Sequence, residues 1–405
     1  MKVDVAIVGG GLVGASLAVA LRDMPLSVAL VEAAVPPTTA PSWDERCIAL
    51  NDGSRRIFQS MGVWGALAEQ TAAITATHIS ERGRFGVARF AAHDAGLDAL
   101  GHNTPLRALG AVLMARAQAS SKTTWLSPAK LTALSLRQDD VELQLDHATQ
   151  KSLQATLVVA ADGASSAVRA LLGFASETRD YEQTGLVTAV RVLRDPKGVA
   201  YERFTPDGPF AMLPKPRLPD DKERGFPCSL IWTLPHARAA QLKALPDAEF
   251  MALAQDTFGE RLGQFLSLGR RISYPLQRTV TETLTAQRVV FCGNAAQSLH
   301  PVAAQGFNLG LRDVATLAAS LREAAQSGAD VGEAARLSAY AASRADDRQR
   351  TANFTDQLVR LFSNHIPLLR SVRHLGLLAL DLTPMVKDAV LRQNLGHRGL
   401  GGFAA

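Results

Sequence analysis

The chain has 405 residues, which is enough for two domains with a sizeable core. Its hydrophobic content of 47% and charged content of 20% are typical of a soluble globular protein. Much of the net charge of +5 comes from residues 357–405, which hold six Lys/Arg and two Asp/Glu. In the other 356 residues the basic and acidic side chains are nearly equal in number, which argues against a nucleic-acid binder.

Cysteine usage and the first residues bear on the cellular compartment. Three widely spaced cysteines without a CxxC pair indicate neither a disulfide framework nor a metal site, and they fit a reducing cytosol. Asp4 interrupts the first apolar run, so no signal peptide is predicted. No apolar run reaches the roughly 18–20 residues of a spanning helix.

The N-terminal stretch has the order expected of a dinucleotide-binding unit. A strand, a glycine-rich turn, a helix and a second strand are predicted at Val3–Val8, Gly9–Gly14, Ala15–Arg22 and Ser27–Glu32. Gly9 allows a tight turn, Gly11 allows close approach to a pyrophosphate, and Gly14 allows close packing of helix on strand. Glu32 ends the second strand, where an acid can bind a ribose hydroxyl. A glycine-rich turn without a ligand is the alternative.

The next stretch follows a proline-rich loop. Arg46 begins a segment that we predict to be helical through Phe58, and the simplest interpretation of Arg46 is a solvated residue of the first turn. A helix is predicted at Leu109–Gln118. Leu131–Leu136 and Val141–Leu145 predict a β-hairpin.

A buried strand predicted at Thr156–Ala161 runs into a second polar turn. Asp162, Gly163 and then Arg169 follow at the start of a helical pattern, which suits a second nucleotide contact. A helix N-cap by a serine of the same stretch is an equally good interpretation.

The sequence changes character between Tyr181 and Arg271, where short apolar runs separated by proline-rich turns predict antiparallel strands. Ala237–Phe258 is predicted to be helical. Apolar side chains of these strands are candidates to line a substrate pocket, although the core of a sheet is their more usual place. The candidates are Phe204, Phe210, Met212, Leu230 and Trp232.

A third polar turn lies in Arg288–Asp313. A strand is predicted at Val289–Cys292, and Gly293 and Asn294 end it. A loop that contains Pro301 follows, and Gly306 precedes a helix predicted at Leu309–Ala325. A helix N-terminus offers unpaired N–H groups and a positive dipole end. It can therefore hold a ligand that carries partial negative charge.

The tail, Gln357–Gly396, is basic and amphipathic, and Pro367 and Pro384 divide it into short helices. Such a segment can lie on an anionic membrane surface. Helices packed on the body of the protein, with a solvated basic face, are an equally good interpretation.

The three motifs at Gly9–Gly14, Asp162–Arg169 and Gly293–Asp313 occur in an informative order and spacing. Together they resemble the FAD-dependent aromatic hydroxylases of the p-hydroxybenzoate hydroxylase type, and the resemblance covers nearly the whole chain. The closer similarity is to the ubiquinone-biosynthesis hydroxylases, in the 2-polyprenyl-6-methoxyphenol hydroxylase branch. Glu202–Thr205 and Glu45–Leu50 are similar to that branch too.

The resemblance implies a tightly bound FAD, with NADPH or NADH as transient reductant and O₂ as cosubstrate. The first motif would hold the ADP part, the second would support the pyrophosphate, and the third would hold the ribityl chain and ring. The implied cofactor-binding residues are Gly9, Gly11, Gly14, Glu32, Arg46, Asp162, Gly163, Arg169, Gly293, Asn294, Gly306 and Asn308. His300, Pro301 and Gln305 would be catalytic, and a structural hydrogen bond is the alternative role for His300.

This sequence departs from the superfamily pattern at three places. Asn294 replaces the usual Asp, so the side chain can bind a ribityl hydroxyl but carries no charge. Ala304 replaces a usual Gly and narrows the backbone freedom there. His102–Pro105 replaces an apolar segment.

The predicted fold class is α/β with an α+β substrate part. A Rossmann-like FAD-binding domain is interleaved with an antiparallel-sheet substrate domain and followed by a C-terminal helical tail. The FAD-binding domain is assigned to residues 1–72, 96–178 and 275–340. The substrate domain is assigned to 73–95 and 179–274, and the helical region to 341–405.

We expect an FAD-dependent monooxygenase that hydroxylates the ring of a polyprenylated phenol in ubiquinone biosynthesis, through a flavin C4a-hydroperoxide. Other ubiquinone-biosynthesis proteins and peripheral contact with the inner face of the cytoplasmic membrane are expected, in a cytoplasmic location. The alternatives are a hydroxylase of a small soluble aromatic and a catalytically silent flavoprotein in a biosynthetic complex. A flavin halogenase is disfavoured because its WxWxIP signature is absent.

Overall fold

The structure is a computed structural model that describes residues 1–35, 46–218, 220–300, 304–362 and 379–397, without the side chains of 358–362. Its strands are β1 Lys2–Val8, β2 Val28–Val31, β3 Cys47–Asn51, β4 Ala72–Ile74, β5 Ala76–Glu81, β6 Val87–Ala91, β7 Gly101–Pro105, β8 Thr123–Leu126, β9 Lys130–Leu136, β10 Val141–Asp146, β11 Ser152–Ala160, β12 Ser176–Val192, β13 Val199–Thr205, β14 Gly208–Pro214, β15 Phe226–Pro235, β16 Phe265–Leu268, β17 Ile272–Thr281, β18 Thr285–Ala286, β19 Val289–Phe291 and β20 Gln297–Ser298. Its helices are α1 Leu12–Leu21, α2 Asp52–Ser60, α3 Trp64–Leu67, α4 Leu106–Gln118, α5 Ala167–Leu171, α6 His236–Ala244, α7 Asp247–Phe258, α8 Gln305–Ser327, α9 Ala334–Phe362 and α10 Pro384–Leu395.

The first sheet has the strand order β18-β19-β11-β1-β2-β8, and β19, β11, β1, β2 and β8 run parallel. The hairpin β9–β10 joins it through β11. Val5 and Ile7 of β1 face a core shared with α1, α4 and α8, while Ala6 and Val8 face a second core on the other side of the sheet. Because both faces are covered, the parallel strands are continuously apolar. The predicted Rossmann-like α/β unit is confirmed.

The second sheet has the order β20-β17-β12-β15-β14-β13-β5-β6, antiparallel except between β13 and β5. One face packs on α6 and α7, and its buried side chains include Phe210, Met212, Leu230 and Trp232. Phe204 lies in a separate cluster with Phe90. The core interpretation of these five residues therefore fits, and the pocket interpretation was wrong. A third, small sheet has the order β3-β7-β4.

Several predicted helices differ from the structure, and α1 and α4 each begin three residues earlier than predicted. The segment after Arg46 is strand β3, which pairs with β7, and the helix begins only at Asp52. The single helix predicted over Ala237–Phe258 is divided in two by Leu245 and Pro246, because proline disfavours the helical conformation at the residue before it. Helix α8 begins four residues earlier than predicted, at Gln305.

The tail packs on the body of the protein where the structure describes it. Helix α10 has Pro384 at its first position and buries Leu391 and Leu395 against Phe90. The predicted break at Pro367 lies outside the described residues. None of the helices in the described ranges combines the length and the apolar composition needed to cross a membrane.

Buried ion pairs join α8 to α9. Arg344 Nε donates to Asp313 Oδ1 at 2.7 Å, and both side chains are 1% exposed. Arg344 and Arg312 both pair with Asp347, at 2.7 and 2.8 Å. Burial alone would raise the pKa of Asp347, but the two guanidinium groups outweigh it and lower that pKa. This carboxylate therefore stabilises the fold above its ordinary pKa, and the contribution is lost as the pH falls through the lowered value.

Replacing Arg344 with Met should lower the free energy of unfolding by about 3–5 kcal/mol, because Asp313 would stay buried without its partner. Arg350→Met is the matched control. Arg350 is 54% exposed on the same helix, and its pair with Asp346 should contribute about 0.5 kcal/mol or less. Urea unfolding measures both, and equal losses in the two variants would contradict the assignment.

Candidate active site

A cavity of about 520 Å³ lies between the second sheet, strand β3 and the start of α8. The sheet contributes the face opposite to the one that packs on α6 and α7. It is lined by Ala200, Tyr201 and Glu202 of β13 and by residues that alternate along β14 and β15, which are Pro209, Ala211, Leu213, Ser229, Ile231 and Thr233. Facing them are Arg46, Ala49, Asn294, Ala304, Gly306 and Phe307. Segments that come before and after most of the central sheet in the sequence thus meet it at one cavity.

The first glycine-rich turn connects β1 to α1 and is closely packed. Gly9 has φ +106°, and a Cβ there would lie 2.5 Å from the carbonyl oxygen of Ala161. A Cβ on Gly14 would lie 1.9 Å from the carbonyl oxygen of Gly9, so both positions require glycine. A Cβ on Gly11 would meet nothing within 4 Å, so this side of the turn is open to a ligand.

Glu32 lies beside this turn, as its position after β2 predicts. Its Oε2 accepts a hydrogen bond from the backbone N–H of Gly10 at 2.6 Å, and Oε1 accepts one from Ala34 at 2.8 Å. The carboxylate therefore fixes the turn. Its role towards a ribose hydroxyl stays a prediction.

The second polar turn caps helix α5. Asp162 Oδ2 accepts hydrogen bonds from the backbone N–H groups of Ala167 and Val168, and Ser166 Oγ accepts one from Arg169. Gly163 has φ +87° and open space where a Cβ would be. The capping interpretation of this stretch fits these contacts. The nucleotide contact stays a prediction for Asp162 and Gly163.

Arg169 connects the second polar turn to the third. Its side chain is 9% exposed, and its guanidinium donates hydrogen bonds to the carbonyl oxygens of Ala295, at 3.0 Å, and Ala164. Arg169 thus holds the two turns together, and a direct cofactor contact for it stays a prediction.

The third turn is held against α1 and α8. Gly293 has φ +58°, and a Cβ there would lie 2.8 Å from Val13 Cγ2. Its backbone N–H donates to Asp313 Oδ2 at 3.3 Å. Asn294, next in the chain, is exposed and lines the cavity. The turn therefore brings a polar side chain to the cavity edge.

Helix α8 starts at the cavity wall. Ala304 precedes it in the left-handed conformation, at φ 51° and ψ 35°, which explains why glycine is usual there. A Cβ on Gly306 would meet no atom within 4 Å. Ala304 at the N-cap position makes no capping hydrogen bond, and the first turn of the helix has no acidic residue. Its positive dipole end is therefore available to a ligand in the cavity.

Asn308 fixes the start of α8 to the neighbouring elements. Its Oδ1 accepts hydrogen bonds from the backbone N–H of Asn51 and from Ser54 Oγ, at 3.1 and 2.6 Å. Its Nδ2 donates to the carbonyl oxygens of Ala49 and Ala304. The side chain is buried, so it holds β3 and α2 on α8. A cofactor contact for Asn308 stays a prediction.

The residues predicted to be catalytic occupy different places. The ring of His300 is buried, makes an edge contact with Tyr181 at 5.0 Å, and places Nε2 3.3 Å from Gln183 Oε1. Burial lowers the pKa of His300 to about 4, so the ring is neutral at neutral pH. His300 does not line the described cavity, and its contacts fit the structural alternative. Gln305 is buried beside Asn394, and Pro301 lies outside the described residues.

Four of the predicted pocket residues, Phe210, Met212, Leu230 and Trp232, lie on the opposite face of the central sheet from the cavity. The prediction selected bulky apolar residues, but on β14 and β15 the cavity is lined by the smaller and more polar residues that alternate with them. Asn103 is one residue it missed: its Nδ2 donates to the carbonyl oxygen of Pro214 at 2.8 Å. The alternation of side chains along Gly208–Pro214 could have identified the cavity face. Because Phe210 and Met212 face the core, Ala211 between them must face the other way.

These residues fit the FAD that the sequence motifs imply. Gly11 leaves room for a pyrophosphate beside the N-terminus of α1, which has neither a side-chain cap nor an acidic residue in its first turn. The uncapped start of α8 and the cation of Arg46 both face the cavity. Each provides positive potential, which would favour the negative charge of a reduced flavin ring.

Gly11→Ala and Gly14→Ala should separate FAD binding from folding. Gly11→Ala places a methyl in open space, so stability should be unchanged while the Kd for FAD rises about tenfold or more. Gly14→Ala should lower the free energy of unfolding by about 1–3 kcal/mol, because its Cβ overlaps backbone. Gly65→Ala, also in open space, is the control. FAD titration and unfolding of the apoprotein measure both effects, and an unchanged FAD affinity in Gly11→Ala would contradict the site.

Comparison with known proteins gives close relatives over nearly the full length. The chain is 36% identical to the ubiquinone hydroxylase UbiL of Rhodospirillum rubrum, over 98% of this chain and 90% of that protein. It is 32% identical to the 3-demethoxyubiquinol 3-hydroxylase of Escherichia coli, over 97% and 98%. Among solved structures, p-nitrophenol 4-monooxygenase PnpA from Pseudomonas putida DLL-E4 has the same fold, with a TM-score of 0.78, 17% identity, and coverage of 98% and 99%.

The family comparison agrees with the glycine-rich turns and the cavity. The FAD binding domain model matches residues 2–355, which include all three polar turns and the central sheet. The predicted FAD and the predicted enzyme class are thereby confirmed. The chain belongs to the FAD binding domain family and is an FAD-dependent monooxygenase of the aromatic hydroxylase type.

Proposed function

We propose that this enzyme hydroxylates the aromatic ring of a polyprenylated phenol in ubiquinone biosynthesis. The observation that carries the proposal is the cavity of about 520 Å³, which lies against the uncapped start of α8 in a chain so similar to UbiL. Apolar side chains such as Ile231, Leu213 and Phe307 make up much of its wall. Such a wall suits a substrate with a hydrocarbon chain.

We propose that the three turns divide the work of binding FAD. Gly9, Gly11 and Gly14 would hold the ADP part with Glu32, and the turn at Asp162 would support the pyrophosphate. Asn294, Gly306 and Arg46 would contact the ribityl chain and the ring. FAD supplies the activation of O₂ with electrons from NADPH or NADH. The protein's own contribution is to orient the phenol and exclude water.

The purified enzyme should oxidise NADPH or NADH faster when a phenol carrying a prenyl chain is present, and should convert it to a hydroxylated product. Removing the chain from the same phenol should lower kcat/KM by about tenfold or more, because each buried CH₂ contributes about 0.8 kcal/mol. The measurements are NAD(P)H consumption and product mass after turnover in ¹⁸O₂. A preference for the unprenylated phenol would instead support the soluble-aromatic alternative. A flavin-loaded protein that consumes no NAD(P)H with either compound would favour the silent flavoprotein.

We also propose that the start of α10 makes peripheral contact with a membrane surface, where such a substrate resides. Leu382, Met385 and Val386 are 72%, 86% and 49% exposed. They lie at the opposite end of the helix segment from the buried Leu391 and Leu395. Three neighbouring exposed apolar side chains favour a lipid or protein partner, including another ubiquinone-biosynthesis protein.

The variant Leu382→Ser/Met385→Ser/Val386→Ser should lose flotation with vesicles of anionic lipid, since it removes the apolar surface without touching the packed residues. The control replaces three exposed leucines elsewhere, Leu136, Leu171 and Leu193, by Ser. Flotation of the vesicles through a density gradient with each purified protein measures binding. Equal flotation of the α10 variant and the wild type would reject the membrane role.

A further inference from the structure

Glu202 is a carboxylate on the cavity face of the central sheet. It lies on β13 between Ala200 and Phe204, and its backbone neighbours across the sheet are Ala211 on β14 and Ile79 on β5. All of these neighbours have apolar side chains. Among the described residues that line the cavity, Glu202 is the single acidic one.

The carboxylate has no compensating partner in the described part of the chain. Neither a hydrogen bond nor an ion pair to it occurs there. The guanidinium of Arg203, the next residue, is directed elsewhere and donates to the carbonyl oxygen of Phe258. The side chain is partly buried at the cavity wall, and an apolar environment disfavours the ionised form of a carboxylate that has no partner. Burial accordingly raises the pKa of Glu202 to about 7. A structural role would not require this position to be acidic.

The other titratable groups that line the cavity come from different elements. Arg46 and Cys47 lie at the start of β3, Tyr274 lies on β17, and Tyr201 lies next to Glu202 on β13. Burial raises the pKa of both tyrosines, so they stay protonated at neutral pH. The cavity residues from β14 and β15 are not titratable. Among these groups Glu202 is the carboxylate, and its oxygens carry the lone pairs that can accept a proton.

We propose that Glu202 is a catalytic residue that accepts the proton of the substrate's phenolic hydroxyl, an inference that rests on the proposed function. The phenolic O–H bond breaks, the proton moves to a carboxylate oxygen of Glu202, and the electron pair stays on the substrate oxygen. This raises the electron density at the ring carbons ortho and para to that oxygen, where a hydroxylation is directed. The same proton returns to the product oxygen, so the step consumes no oxidant.

Glu202→Gln tests the proposal because it keeps the shape of the side chain and removes the base. With 2-prenylphenol as substrate, kcat for hydroxylation should fall about 10²-fold, within the range of a lost general base, while the FAD content stays that of the wild type. Wild-type kcat should rise with pH through about 7, as Glu202 ionises, and this limb should be absent in the variant. Glu177→Gln, the same change on the exposed edge of β12, is the matched control and should leave both properties unchanged.

A binding measurement gives a readout that does not depend on turnover. The wild type should bind 2-prenylphenol more tightly than 2-prenylanisole, which has no proton to donate. That preference should fall about fivefold or more in Glu202→Gln, since a hydrogen bond to a charged acceptor is stronger than one to a neutral acceptor. Glu202→Asp keeps the ionising group, so it should retain the pH limb at a lower rate. It also covers the case in which Glu202→Gln fails to fold.

The outcomes separate this inference from the proposed function. If the wild type neither binds nor hydroxylates 2-prenylphenol, the proposed function fails and the inference with it. If the wild type does both and Glu202→Gln keeps the same kcat, pH profile and preference over the anisole, the proposed function stands and the role of Glu202 is overturned.

Discussion

Helix α8 and the turn at Gly293 approach so closely that neither has room for a side chain at the contact. A Cβ on Gly310 would lie 3.1 Å from the Cα of Gly293, and one on Gly293 would lie 2.8 Å from Val13 of α1. Asp313 secures this contact, because it accepts from the N–H of Gly293 and pairs with the buried Arg344. The approach sets the direction of α8, so it decides where the positive end of that helix lies. The shape of the cavity depends on it.

The sequence predicted the parts of the fold that local patterns determine. The strand, turn and helix at Gly9–Gly14 follow from glycine spacing and apolar periodicity, and the structure has them where predicted. The error after Arg46 has a physical reason: Cys47–Asn51 is too short for its periodicity to distinguish helix from strand. Its pairing with β7 decides the matter, and β7 lies about 50 residues further along the chain. No local pattern encodes such a contact.

The residues of the candidate site likewise fall into those that local sequence predicts and those that it does not. Gly9, Gly14 and Gly293 were identified because backbone geometry demands glycine there, whatever the distant contacts. Glu202 was noticed only as part of a motif, since its chemistry arises from burial by β5 and β14 and not from its neighbours in sequence. His300 shows the converse. A histidine in a functional loop suggests acid–base chemistry, but Tyr181 and Gln183 enclose its ring.

Besides packing on Phe90, helix α10 and the residues that follow it contact β3 and α2. Asn51 Nδ2 donates to the carbonyl oxygen of Asn394, and His397 pairs with Asp52 at 2.8 Å. Strand β3 and the start of α2, which border the cavity, therefore rest directly on the C-terminal segment. If that segment binds a bilayer or another enzyme, as proposed, the surface that docks and the wall of the cavity belong to one connected set of contacts. Any shift of α10 on docking would then reach Asn51 and Asp52 without passing through the rest of the protein.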